Sequence, residues 1–313
     1  MSSQRTALHT WLQLLRAPNL FTVPGDTLAG FLLASGGAPH PLMLAVMLAS
    51  MCFYGAGLLL NDLADLEEDR RERPNRPLPS GAADPRTVRI VTGILAIAGL
   101  LLCLVRSVST LQVGLFLLAF IATYNLWAKK FTVLGPLNMG ACRGLSLQLG
   151  AWMGLHDVAH WQSPAHASTI ALAPIATAGL TLYIALVTNL ARVETQAQPS
   201  RLPRALPFVG LLLAIVPFFC FAIDRAHPFE PFNIALYAIS AYTLYAGFKI
   251  HRKLMHEPAP PIPPAIGQLI RLLLPLQAIW CMASRGATGA IAAAILLVLW
   301  PVSRSVSKRF YAS

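Results

Sequence analysis

An all-α, polytopic transmembrane helical bundle is the fold class that this sequence predicts, and three observations carry it. The chain is 56% hydrophobic and only 12% charged, where a soluble domain carries about 25% charged residues. Apolar runs of about 20 residues recur from one end of the chain to the other, each long enough to cross ~30 Å of hydrocarbon. The runs are continuous rather than alternating, which selects helices over a closed barrel, the other way to satisfy a backbone in lipid.

In order, the apolar segments are 18–36, 41–61, 87–107, 110–128, 133–153, 167–190, 206–224, 229–248, 265–283 and 286–303. Together they form a single membrane domain spanning residues 1–313. The first follows Arg5 and Arg16, as a signal peptide would, but it holds Pro18, Pro24 and Asp26 and opens a many-span protein, so it reads as a membrane helix. Arg271 and Gln277 interrupt the ninth, and Arg285-Gly286 is a turn or a break. Nine and ten crossings both fit this pattern, and the basic C-terminus favours ten.

A net charge of +11 and a pI of 9.9 would fit nucleic-acid binding, but the distribution excludes it. With the N-terminus inside, the inner segments hold Arg70 through Arg89, Lys129, Lys130, Arg192, Arg201, Arg204, Lys249, Arg252 and Lys253. The outer loops hold only Arg106, Arg225 and Arg285. That asymmetry is the positive-inside rule. It puts the three long polar segments, 61–86, 191–205 and the Pro-rich 249–264, on the cytoplasmic face. The spacing of the second and third spans, repeated at the sixth and seventh, hints at two related halves. Cys52, Cys103, Cys142, Cys220 and Cys281 all lie in apolar runs without CxxC spacing and read as small hydrophobes. Trp127, Trp152 and Trp161 sit near span ends, as an aromatic belt does.

Six of the thirteen acidic residues fall between 62 and 72: Asp62, Asp65, Glu67, Glu68, Asp69 and Glu72. If the helix ending at Leu60 continues, about 100° per residue puts Asp62, Asp65 and Asp69 within an arc of about 60°, with Asn61 at its edge and Glu67 and Glu68 pointing elsewhere. Three carboxylates in one direction repel one another unless a cation is present. Hard oxygen ligands with open positions suit Mg²⁺ bridging to a phosphorylated substrate. Arg70, Arg71, Arg73 and Arg76 follow at once, and guanidinium forks match phosphate oxygens. A carboxylate–metal site beside guanidinium groups at a membrane mouth points to a lipid diphosphate.

Asn61-Asp62-Leu63-Ala64-Asp65-Leu66-Glu67-Glu68-Asp69 resembles the NDxxDxxxD motif of the UbiA superfamily of intramembrane prenyltransferases. Arg73-Pro74-Asn75-Arg76-Pro77-Leu78-Pro79-Ser80-Gly81 resembles that family's R-x-x-R-P-L-P-S-G. Arg16-x-Pro18-Asn19 is similar to its opening, and Tyr124 followed by Lys129-Lys130 to its Y-x₃₋₄-K-[KR] stretch. The resemblance implies a bundle whose cavity holds Mg²⁺ and a prenyl diphosphate at two Asp motifs, where the allylic C–O bond ionises and an acceptor captures the carbocation. By position, it implies Asn61, Asp62, Asp65 and Asp69 as catalytic residues, with the three Asp as metal ligands, and Arg73, Arg76, Tyr124 and Lys130 as substrate contacts. The family's second motif, DxxxD, falls on Leu186-Val187-Thr188-Asn189-Leu190-Ala191-Arg192-Val193-Glu194. Asn189 and Glu194 are the stand-ins there, and Arg192 adds positive charge that can meet diphosphate directly. This variant resembles a UbiA-like subgroup from the Ebo clusters of bacteria.

Asp26 lies inside the first span, where a charge costs ~3 kcal/mol or more. It reads either as a cavity residue that positions the acceptor or as a paired structural group, with Arg143 of the fifth span as its partner. His156 and His160 are four apart, with His166 nearby, but lie opposite the Asp motif and read as loop residues rather than metal ligands. The function expected is Mg²⁺-dependent transfer from a prenyl diphosphate to a hydrophobic or aromatic acceptor. A non-catalytic lipid-diphosphate binding or transport protein on the same fold is the alternative. The CDP-alcohol phosphotransferases rank last, because their DG-x₂-AR signature does not occur.

Overall fold

The computed structural model describes residues 7–155, 164–194, 200–223, 227, 229–257 and 261–310. The described residues are helical throughout, as predicted. A short α1 (Ala7–Leu14) and a single turn α2 (Ala17–Leu20) precede α3 (Val23–Ser35), α4 (Leu42–Ala64), α5 (Leu66–Glu72), α6 (Pro85–Leu104) and α7 (Val108–Leu126). A 3₁₀ turn over Ala128–Lys130 leads to α8 (Leu134–Gly154), α9 (Pro164–Ala191), α10 (Arg201–Ala222), α11 (Pro231–Leu254), α12 (Ile262–Arg271), α13 (Leu273–Ala283) and α14 (Ala287–Phe310). Each of the ten apolar segments carries helix. Among the described residues, seven stretches are long and apolar enough to cross a membrane: Leu42–Ala64, Pro85–Leu104, Val108–Leu126, Ile170–Ala191, Arg201–Ala222, Ile262–Ala283 and Ala287–Ser305.

The first segment, which read as unbroken, is interrupted, and the ninth breaks at Leu272, next to Arg271; proline is the cause of both breaks. The pyrrolidine ring clashes with the carbonyl four residues earlier and cannot donate to it. Pro24 thus separates α2 from α3 at Phe21–Thr22, and Pro275 separates α12 from α13 at Leu272.

α3 packs against α4, α8, α9 and α13, so it is surrounded on all sides. Eleven of its thirteen residues are buried. α6, by contrast, buries only Val88, Gly99 and Cys103 and turns Ile90, Ile94, Ile97 and Leu101 outward, as a lipid-facing helix does. Two apolar cores result. One joins Phe31, Val46, Phe53, Leu117, Ile121 and Leu149 of α3, α4, α7 and α8. The larger one joins α3 and α9 to α10, α11 and α13 around Tyr183, Phe218 and Trp280.

Bonds between connecting segments place the polar loops at the two ends of the bundle. At one end Lys129 pairs with Asp65, Arg192 donates to the Phe131 carbonyl, and Arg204 donates to the Leu254 carbonyl at 3.0 Å and to Glu257 at 2.6 Å. At the other, Arg106 donates to the Leu155 carbonyl at 2.7 Å and Arg285 pairs with Glu230 at 2.7 Å. All three long polar segments therefore share the Asp-motif end, as the charge distribution predicted. His156 and His160, and the side chain of His166, lie outside the described residues.

The contact that orders the centre is between α3 and α8. It is backbone-close, as small-residue interfaces in membranes are. A Cβ on Gly150 would lie 2.0 Å from the Thr27 carbonyl oxygen, and one on Gly30 2.0 Å from that of Leu147. Gly150→Val should therefore force the two helices apart, at a cost of about 1–3 kcal/mol or more. It should lower the melting temperature and the monodisperse fraction in detergent. Gly93→Ala, whose added methyl meets nothing within 4 Å, should leave both unchanged or slightly raised.

Candidate functional site

The Asp motif straddles the α4–α5 junction. α4 ends at Ala64, and Asp65 has φ −94° and ψ 4°. The i→i−4 pattern nevertheless survives the bend, with Asp65 N–H donating to the Asn61 carbonyl at 3.0 Å and Asp69 N–H to the Asp65 carbonyl at 2.8 Å. The backbone ladder thus continues from α4 through the junction into α5, which carries Asp69.

Each carboxylate meets its own basic side chain. Arg16 Nη2 lies 3.7 Å from Asp62, Lys129 pairs with Asp65, and Arg76 donates to Asp69 at 2.8 Å. The Asn61 carboxamide hydrogen-bonds Asp62. Asp69 is 4% exposed, so its pairing with Arg76 neutralises a nearly buried charge. Among the described residues, no three His, Cys, Asp or Glu side chains converge into a ready-made metal cage. The donor set itself fits a hard divalent cation: three carboxylates and a carboxamide from one helix end, with basic groups balancing them. Asp62, Asp65 and Asp69 can turn to a metal only as those basic groups release them.

The segment that follows is held in place by packing. Leu78, in the Arg-Pro-Leu-Pro-Ser-Gly stretch, is buried with Leu14, Leu59 and Val88. Asp84 caps α6 by accepting from the Thr87 N–H and hydroxyl, both at 2.9 Å, and these bonds hold its carboxyl below the usual carboxylate range.

A cavity of about 150 Å³ opens at this mouth between α3, α4, α7 and α8. Arg16 and Asn61 line its entrance, and Phe53, Tyr54, Leu117, Ile121 and Tyr124 its walls. Arg143 also lines it. Its Nε lies 2.7 Å from Asp26, which is fully buried, so the expected pair across the bundle forms.

Of the other predicted site residues, Tyr124 lines the cavity, whereas Arg73 and Lys130 are exposed at the mouth. Lys129, not Lys130, reaches the Asp motif. Asn189, at the end of α9, is half-buried, Arg192 is tied to the Phe131 carbonyl, and Glu194 is exposed. None of the three lines the cavity. Three participants were not singled out from sequence as site residues: Arg16, Lys129 and Gln277. The first two carried a signal, since both stand in the motifs quoted above. Gln277 lies 251 residues from Asp26, to which it donates at 2.6 Å, and no local pattern points to it.

A helical bundle embedded in a membrane, with a cation-balanced carboxylate cluster over an apolar cavity, is the class defined by fold and site. The chain belongs to the UbiA prenyltransferase family, whose family model matches residues 26–259. It is similar to the digeranylgeranylglyceryl phosphate synthases of Methanocaldococcus jannaschii, at 29% identity over 47% of this chain and 52% of that protein, and of Thermococcus gammatolerans, at 27% over 59% and 61%. The matches span about half the length of these curated relatives. In structure it is similar to an apo UbiA homologue from Aeropyrum pernix, with a TM-score of 0.62, 17% identity and coverage of 83% of this chain and 96% of that one. It also resembles a UbiA homologue from Archaeoglobus fulgidus bound to DMAPP and Mg²⁺, with a TM-score of 0.57, 17% identity and coverage of 91% and 99%. Its apolar helices and its family make it an integral membrane protein.

The pairings differ in weight. Removing Arg76 strands a nearly buried carboxylate, so Arg76→Ala should destabilise by about 2 kcal/mol. Arg70, paired with the exposed Glu67, sits where ion pairs contribute ~0.5 kcal/mol or less, so Arg70→Ala should be near neutral in the same thermal melt.

Proposed function

We propose that this chain is a Mg²⁺-dependent intramembrane prenyltransferase that moves a prenyl group from a prenyl diphosphate to a hydrophobic or aromatic acceptor. The observation that carries this reading is the one-to-one pairing of Asp62, Asp65 and Asp69 with Arg16, Lys129 and Arg76 at the mouth of an apolar cavity. Such a site holds positive and negative groups in balance, ready to exchange partners with a ligand that brings both. Asp62, Asp65, Asp69 and Asn61 would hold Mg²⁺, which supplies Lewis-acid neutralisation of the leaving diphosphate. Arg16, Arg76 and Lys129 then take diphosphate oxygens, with Arg73 and Lys130 at the same mouth, and guanidinium forks match that geometry.

The allylic C–O bond breaks and its electron pair leaves on the diphosphate. An electron pair of the acceptor forms the new bond to the same carbon, and the proton that the acceptor loses leaves with the diphosphate. Donors already in place stabilise the developing anion without reorganisation. Phe53, Leu117 and Ile121 keep water from the allylic cation, and the ring faces of Phe53, Tyr54 and Tyr124 are suited to stabilise it. Arg143, paired with Asp26, serves the acceptor from the cavity wall. The reading includes a bacterial inner membrane with the Asp motif on the cytoplasmic side, where the positive-inside rule puts it.

A second reading, a lipid-diphosphate binding or transport protein, draws support from the second-motif segment, where Arg192 is engaged with backbone and Glu194 faces out. One experiment separates the two. Purified protein in lipid is given labelled geranylgeranyl and farnesyl diphosphates, with and without Mg²⁺, in the presence of an acceptor-containing membrane extract. The transferase reading predicts Mg²⁺-dependent diphosphate release that Asp62→Ala/Asp65→Ala abolishes. Tight binding with no release under any condition would contradict it and favour binding or transport.

A further inference from the structure

Beside the cavity lies a second polar centre, joined to it through Arg143, that the ionisation step does not use. Asp26 of α3 is completely buried, as is Gln277 of α13. Arg143 of α8 places Nε 2.7 Å from one carboxylate oxygen of Asp26 and donates through Nη2 to the Thr22 carbonyl at 2.9 Å. Gln277 donates to the other carboxylate oxygen at 2.6 Å and to the same Thr22 carbonyl at 2.7 Å. A space is kept for this network, since any Cβ at Gly25 would lie 2.1 Å from the Gln277 carboxamide oxygen.

The network is lopsided. Asp26 and Gln277 are sealed within the helix packing, but Arg143 keeps 12% of its side chain exposed and forms part of the cavity wall. A guanidinium has five N–H donors. The Asp26 and Thr22 contacts occupy one side of it, and among the described residues no further hydrogen bond reaches Arg143. A charged pair inside a membrane costs several kcal/mol unless its remaining donors are satisfied. A purely structural pair would be closed on all sides, and this one opens toward the ligand cavity.

Resting on the prenyltransferase reading, we propose that Arg143 is the acceptor-recognition residue, and that the acceptor meets it with a neutral oxygen group, a phenol or alcohol hydroxyl, rather than with a carboxylate or phosphate. The guanidinium only donates, so its ligand must offer an accepting oxygen. Its charge is already matched by Asp26, so a second anion would leave one buried negative charge uncompensated, which the apolar surroundings penalise strongly. A neutral hydroxyl accepts from Arg143 without disturbing that balance. Ser50 and Ser146, which line the same cavity, add hydroxyls of the right kind to complete its hydrogen bonding.

The test uses ligand-induced shifts in melting temperature of the full chain in nanodiscs. The probes are 4-propylphenol, 4-propylbenzoate and 4-propylphenyl phosphate, with geranyl diphosphate plus Mg²⁺ as the independent ligand of the mouth. 4-Propylphenol should bind the wild type more tightly than either anion does. Its apparent Kd should rise about tenfold or more in Arg143→Gln, as loss of a charged hydrogen bond implies. Geranyl diphosphate binding should stay unchanged. Because Arg143→Gln strands Asp26, the double variant Asp26→Asn/Arg143→Gln, whose site is neutral, gives the same readout if the single variant does not fold. Phenol binding that survives in the double variant, or tighter binding of either anion, would overturn the assignment. So would a wild type that binds geranyl diphosphate but no phenol, and that outcome leaves the transferase reading standing. A wild type that binds neither would remove both.

Discussion

Three ionised carboxylates leaving one helix end repel one another, and the mouth of this bundle is arranged around that constraint. Its cations come from three separate places: Arg16 before α2, Arg76 after α5 and Lys129 in the 3₁₀ turn after α7. The charge balance therefore also ties the N-terminal segment, the α5–α6 connection and the α7–α8 connection to the α4–α5 junction and α5. Arg16 sits at φ 45°, a conformation that a non-glycine residue keeps only where its surroundings insist on it. The groups that would grip a diphosphate are the groups that shape the entrance in its absence. Ligand binding and mouth geometry are then coupled by the same charges.

Deeper in the bundle the order of cause runs through backbone. Pro24 breaks the first span and leaves Thr22 at the start of α3, where its carbonyl collects bonds from α8 and α13. Gly30 and Gly150 let α3 and α8 approach until backbone meets backbone, which brings Asp26 to Arg143. The cost of a polar network in the interior falls as its members are satisfied, and here Arg143 is the member that reaches the cavity.

Much of this was legible in the sequence. The helix ends fall within seven residues of the apolar runs, because hydrophobic length in a membrane is a strong constraint. The place of Asp62, Asp65 and Asp69 at the end of the second apolar run was legible from the sequence, and the i→i−4 bonds continue through the bend at Asp65. The break at Thr22 was less so, since hydropathy does not see a proline ring meeting a carbonyl, whereas Arg271 marked the one at Leu272. The choice of Lys129 over Lys130 as the partner of Asp65 depends on the register of a single 3₁₀ turn, and adjacent lysines look alike in sequence. Gln277 joined a buried network 251 residues away from Asp26, a relation that only tertiary packing creates. Asn189, Arg192 and Glu194 were candidates by position in a motif, yet the cavity is built from α3, α4, α7 and α8 and does not include them.

The account rests on the carboxylates exchanging their basic partners for a metal-bound diphosphate. Calorimetric binding of geranyl thiolodiphosphate, a diphosphate analogue with a slow-leaving sulfur, tests this without requiring turnover. Binding that needs Mg²⁺ and weakens about a hundredfold in Asp65→Ala, as the loss of a charged ligand to a metal implies, is the predicted result. Equal affinity with and without Mg²⁺, in wild type and in Asp65→Ala alike, would contradict it.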